Sequence, residues 1–84
     1  MASDENKSKY YTSDFGCCVA LVALGHKVVE VDRRDTRRVR FAFLSTELLL
    51  STVEKYRYFD LKVDARKYFE SSKAVKSIIY GDDL

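Results

Sequence analysis

KVVEVDRRDTRRVRFAFL, residues Lys27 to Leu44, is the stretch on which the fold turns. KVVEVD at its start and RVRFAFL at its end are rich in Val and Phe and alternate in polarity, the period of half-buried strands. Together they form a hairpin of residues 27 to 32 and 38 to 44, with a loop of three to five residues centred on Asp35. Val39, Phe41 and Phe43 share the core face, with Arg38, Arg40 and Ala42 opposite. On the first strand Val29 and Val31 point inward and Val28, Glu30 and Asp32 outward. Pairing inward with inward sets Asp32 against Arg38 and Glu30 against Arg40, two cross-strand ion pairs. Arg33, Arg34 and Arg37 are left at the tip, where Asp35 is the one acidic neighbour.

Upstream lies SDFGCCVALVALGHK, Ser13 to Lys27. Its Asp-Phe-Gly matches the magnesium-holding tripeptide of protein kinases, but thirteen residues ahead of Asp14 leave no room for a Gly-rich loop, a strand lysine and a catalytic loop. Thr12 or Ser13 instead caps a helix from about Asp14 to Leu24, with Asp14 in its first turn, and Gly25 stops it in the left-handed conformation. Phe15, Cys18, Val19 and Val22 form one apolar face of that helix. Cys17, Ala20, Leu21 and Leu24 form the opposite face, which is apolar too. A helix apolar all round must be covered on two sides, either by the chain's own last helix or by a partner. The apolar run is too short to span a bilayer, which needs roughly 20 residues.

Downstream, Ser45 or Thr46 caps a second helix whose stripe is Leu49, Val53 and Tyr56. Leu61-Lys62-Val63 fits a third strand or an extended connector. Asp64 caps a last helix that lines Ala65, Tyr68, Ser72, Val75 and Ile79 along one face. The order α-β-β-α-(β)-α, with no linker or internal repeat, defines a single small α+β domain over residues 10–80, with helices on one face of a small antiparallel sheet. Residues 1–9 read as a polar tail without secretory-signal character, and 81–84 as a loose C-terminus.

YTSDFGCCVALVALGHKVV, then RRVRFAF, then VDARKYFESSKAVKSIIY together resemble an uncharacterised family of short bacterial and phage proteins, a domain of unknown function. Its marks are a Thr-Ser-Asp helix start, a glycine followed by a basic strand, an Arg-Val-Phe-Phe strand and two further helices. The resemblance covers roughly Tyr10 to Tyr80 and implies the fold and a mobile-element or prophage setting. It implies no active site, and the Cys17-Cys18 pair and the doubled arginines around Asp35 lie outside its pattern.

The functional reading follows from what the 84 residues offer. Neighbouring cysteines on a helix point about 100° apart, so Cys17 and Cys18 read as reduced cytosolic thiols rather than a disulfide. One histidine, His26, and no second Cys pair argue against a metal site. His26 has no placed nucleophile or acid beside it, and reads as a solvated or capping residue. Three scattered glycines make no phosphate loop. The chain therefore reads as non-enzymatic, without a cofactor or small-molecule substrate, cytoplasmic in a bacterial or phage-infected host cell, and not membrane-bound. Its expected role is protein interaction or regulation, docking another protein or a second copy through Cys17, Ala20, Leu21 and Leu24. The alternative is nucleic-acid binding: Arg33 to Arg40 carries a local charge of +4 in a chain of net +2, and Arg33, Arg34 and Arg37 would grip phosphates, assisted by Lys7, Lys9, Tyr10 and Tyr11.

Overall fold

The computed structural model describes residues 8–35 and 37–80; residues 1–7 of the expected tail, Lys7 among them, and the expected loose C-terminus, 81–84, lie outside them. The chain is an α+β domain of three helices and a three-stranded antiparallel sheet, in the order β1 (Lys9–Thr12), α1 (Phe15–Ala23), β2 (Val28–Asp32), β3 (Arg40–Leu44), α2 (Glu47–Arg57) and α3 (Ala65–Tyr80). The hairpin strand β3 lies at the centre of the sheet, with β1 on one side and β2 on the other.

The strand β1 corrects the reading of the N-terminal region. Lys9 to Thr12 pair with Leu44 to Phe41, so the tail expected through residue 9 gives way to an edge strand. Its partner is thirty residues downstream, and a four-residue KYYT carries too little alternation to announce it. Tyr10 turns toward the core and Tyr11 toward the opposite face.

The hairpin forms in a different register from the expected one. Asp32 stands opposite Arg40, not Arg38, and Glu30 opposite Ala42, not Arg40. The slip preserves which residues of 30 to 32 face inward, because it moves the pairing by two. Between Val28 and Glu30 a bulge breaks the alternation. Val28 consequently packs on the core, while Val29, expected inside, is 46 % exposed. Ala42, expected outside, is fully buried between its sheet neighbours Tyr11 and Glu30. Leu61 to Val63 form a connector and no strand.

Each helix begins on a side-chain cap. At α1 the cap is Asp14, not Thr12 or Ser13: its Oδ1 accepts from the Cys17 N–H at 3.1 Å, while Thr12 Oγ1 accepts from the Asp14 N–H. Thr46 serves α2 by accepting from Leu49 N–H at 3.0 Å, and Asp64 serves α3 by accepting from Lys67 N–H at 2.9 Å. Gly25 adopts φ 100° just past α1, where its N–H reaches Val22 O and the His26 N–H reaches Leu21 O, closing a Schellman turn.

The core answers the double apolar face of α1. Cys18, Val19 and Leu21 join Phe41 and Phe43 of the sheet with Leu49, Val53 and Val75 of the other helices. Helices α2 and α3 both pack on α1. Cys17, Ala20 and Leu21, expected as an interface, are thus buried by the chain itself; of the four, Leu24 alone is exposed, at 43 %. The thiols are free, and burial pushes Cys18 up to about 12. Among the described residues no helix is long and apolar enough to cross a membrane.

Two substitutions on one helix face separate these surroundings. Leu21→Asp places an unpaired charge at a site 1 % exposed and is expected to cost at least about 3 kcal/mol, enough to unfold most of the population. Leu24→Asp should shift the urea midpoint little. Circular dichroism of both variants checks this; a folded Leu21→Asp protein would contradict the packing.

Candidate functional site

Of the residues expected to bind nucleic acid, the fold gathers Arg34, Lys9 and Tyr11 on one face of the sheet and places Arg33, Tyr10 and Arg37 elsewhere. Arg33 donates to the carbonyls of Ile78 and Ile79, so its charge lies on the last turn of α3, the negative end of that helix. Arg34 donates through Nε and Nη2 to the two carboxylate oxygens of Asp32, at 3.0 and 2.9 Å, and Arg40 Nη2 donates to the same carboxylate at 2.6 Å. Lys9 is paired with Glu30 at 3.0 Å, and Tyr11 donates to that carboxylate while its ring lies under Arg40. Tyr10 packs on the core. Arg37 remains outward, 91 % exposed and 3.9 Å from Asp35.

This arrangement fixes the polar face of the sheet. Asp32 is a carboxylate only 8 % exposed that accepts hydrogen bonds from two guanidinium groups and the Arg34 backbone. The Arg34 and Arg40 bonds hold its carboxyl well below its ordinary value of 3.8. A depressed folded pKa contributes stability above about pH 4 that is lost as pH falls toward the folded value. Asp32→Asn should therefore be less stable than the parent at pH 7, and the difference should close as pH drops below 4. Urea unfolding across pH 7 to 2 measures it; a pH-independent difference would remove the ion pairs from the account.

On the other side of the sheet lies a cleft of about 530 Å³. Strand β1 contributes Tyr10 and Thr12, the start of α1 contributes Asp14 and Cys17, and α2 contributes Val53, Tyr56 and Arg57, with Phe59 beyond its end. Tyr56 Oη donates to Asp14 Oδ1 at 3.2 Å, tying α2 to the cap of α1. Burial, aided by the Asp14 charge and bond, pushes Tyr56 up to about 12. Burial and the Asp14 charge also raise the Cys17 thiol, which holds its proton at neutral pH. The cleft thus offers aromatic surface, hydroxyl groups and one guanidinium. Arg57 has no carboxylate within ion-pair distance among the described residues, where no group of three potential metal ligands is found either.

Phe59 forms the rim and is the residue that sequence reasoning passed over. The Tyr58 cap ends α2, and then the Phe59 N–H reaches Tyr56 O while the Asp60 N–H reaches Lys55 O at 2.8 Å. This is the turn that Gly25 makes after α1, but with a phenylalanine at the left-handed position, φ 61°. Phe59 is 98 % exposed. A β-carbon costs about 1–2 kcal/mol in that conformation, and the ring gains no burial in return. The signal in the sequence is negative: RYFD leaves α2 with no glycine or asparagine where the chain reverses.

No family model, curated protein or solved structure matches the chain.

Gly16 explains the glycine of the Asp-Phe-Gly tripeptide. A β-carbon at this first-turn position would collide with the Tyr56 hydroxyl, whereas the next atoms, Tyr56 Cζ and Tyr68 Oη, stand at 3.5 Å. Gly16→Ala gains up to about 1 kcal/mol of helix propensity but displaces the hydroxyl from Asp14, a bond to a charged group contributing about 1.5–3 kcal/mol. Alone it should destabilise by about 1 kcal/mol; in a Tyr56→Phe background it should stabilise by about 0.5–1 kcal/mol. Equal effects in both backgrounds, by urea denaturation, would refute this contact.

Proposed function

We propose that this protein is a non-enzymatic docking module that engages another protein through the cleft between β1 and α2, with Phe59 as its anchor. The observation that carries the reading is Phe59 itself, a large aromatic in a left-handed position, almost wholly exposed on the rim of an aromatic cleft. Aromatic anchors beside a pocket supply most of the energy of many interfaces. The role expected from sequence is kept, but its surface moves from the buried face of α1 to this cleft.

Nucleic-acid binding is less well supported, because Arg33, Arg34 and Lys9 already have partners within the chain and Tyr11 is covered by Arg40. A cytoplasmic, mobile-element setting belongs to the proposal as the resemblance and the two free thiols suggest it.

Phe59→Gly is the informative variant. Relief of the left-handed strain should stabilise the domain by about 0.5–1 kcal/mol after the greater chain entropy of glycine is counted. The same change should abolish capture of the partner from a lysate of the native cells, whereas Arg37→Ala and nuclease digestion should leave it intact. Capture that survives Phe59→Gly, or that disappears with nuclease, would defeat the reading.

A further inference from the structure

We infer that the cleft receives its partner as an extended segment, added as a fourth strand to the open edge of β1 and carrying a carboxylate toward Arg57. The inference rests on the docking reading above and specifies its mode.

The sheet order places β1 outermost, so one edge of Lys9–Thr12 has no strand beside it among the described residues. Such an edge presents unpaired backbone N–H and C=O groups, the template for strand addition. The other outer strand, β2, is interrupted by its bulge at Val29, a device that discourages pairing, whereas β1 is regular over all four residues. The cleft has β1 as one wall and α2 as the other. A groove between an edge strand and a helix lets a peptide satisfy both needs: its backbone pairs with the strand and alternate side chains enter the groove.

An inserted helix would satisfy its own backbone and leave the β1 edge unpaired. A second copy docked through the same cleft would bring another Arg57 to the groove, a charge of the same sign. The cleft's own carboxylate, Asp14, already accepts from the Cys17 N–H and the Tyr56 hydroxyl. Arg57 is the charge left for a ligand, and it selects an acidic residue on the segment. Phe59, on the rim, would close over an apolar side chain of the same strand.

The probe is a displayed library of twelve-residue peptides, selected on the wild-type protein after depletion on Phe59→Gly. The expected sequences alternate apolar residues and carry an Asp or Glu. Arg57→Glu should weaken a selected peptide at least ten-fold, and replacing its acidic residue by Lys should recover much of that loss. Binding should slow amide exchange in Lys9–Thr12, and N-methylation of alternate peptide amides should abolish it. Selected peptides that bind as helices, or leave the exchange of Lys9–Thr12 unchanged, would overturn strand addition while the docking reading stands. Failure to select any peptide dependent on Phe59 would also overturn the inference, with the lysate capture deciding the docking reading separately. A dimer in sedimentation that Phe59→Gly dissociates would assign the cleft to a second copy and overturn it too.

Discussion

Helix α1 has no polar side, and the rest of the chain is arranged around covering it. From Phe15 to Leu24 it carries no charged or hydrogen-bonding polar side chain, so in water neither face could be left open. The sheet covers one side through Phe41 and Phe43, and α2 and α3 supply Leu49, Val53 and Val75 for the rest. In a chain of this length one core is all that can be built, and α1 lies inside it. The consequence for function is direct. The face that looked like an interface is interior, and any docking surface must be formed by the elements that cover α1.

The opposite face of the sheet solves a different problem, the concentration of arginine in the hairpin. Asp32 is mostly buried and would be costly there alone; two guanidinium groups and a backbone N–H meet its oxygens. Arg33 goes elsewhere, to the carbonyl end of α3, where a cation is favoured by the helix dipole. The local +4 that stands out in the sequence is therefore divided between contacts to Asp32, to the end of α3 and to solvent. What reads as a cationic patch along the chain becomes, in space, Arg34 and Arg40 sharing Asp32, Arg33 on the carbonyl end of α3, Arg38 donating to Ser13 Oγ and Arg37 projecting from the tip.

The two Schellman turns show how one backbone need can be met in two ways. After α1 the left-handed position holds Gly25, which accepts it without steric cost. After α2 the same position holds Phe59, with its ring in solvent. The strain is confined to the residue that also carries the largest exposed apolar surface on the rim of the cleft. That coincidence places the proposed docking surface beyond the end of α2 and not on the buried α1.

Much of the architecture is legible in the sequence because it follows from local chemistry. The helix caps Thr46 and Asp64, the turn at Gly25, the stripe of Leu49 and Val53, and the inward Phe41 and Phe43 all depend on neighbours within a few residues. The α+β class follows from their order. Register, edge strand and site do not, because they depend on residues far apart. Asp32 faces Arg40 and not Arg38 in a ladder that also holds the bulge at Val29, and KYYT pairs along the other side of β3, partners that no local pattern names. The cleft exists only where β1, the cap of α1 and the end of α2 meet. Alternation along a chain determines which way a side chain points; only tertiary packing determines what stands opposite it.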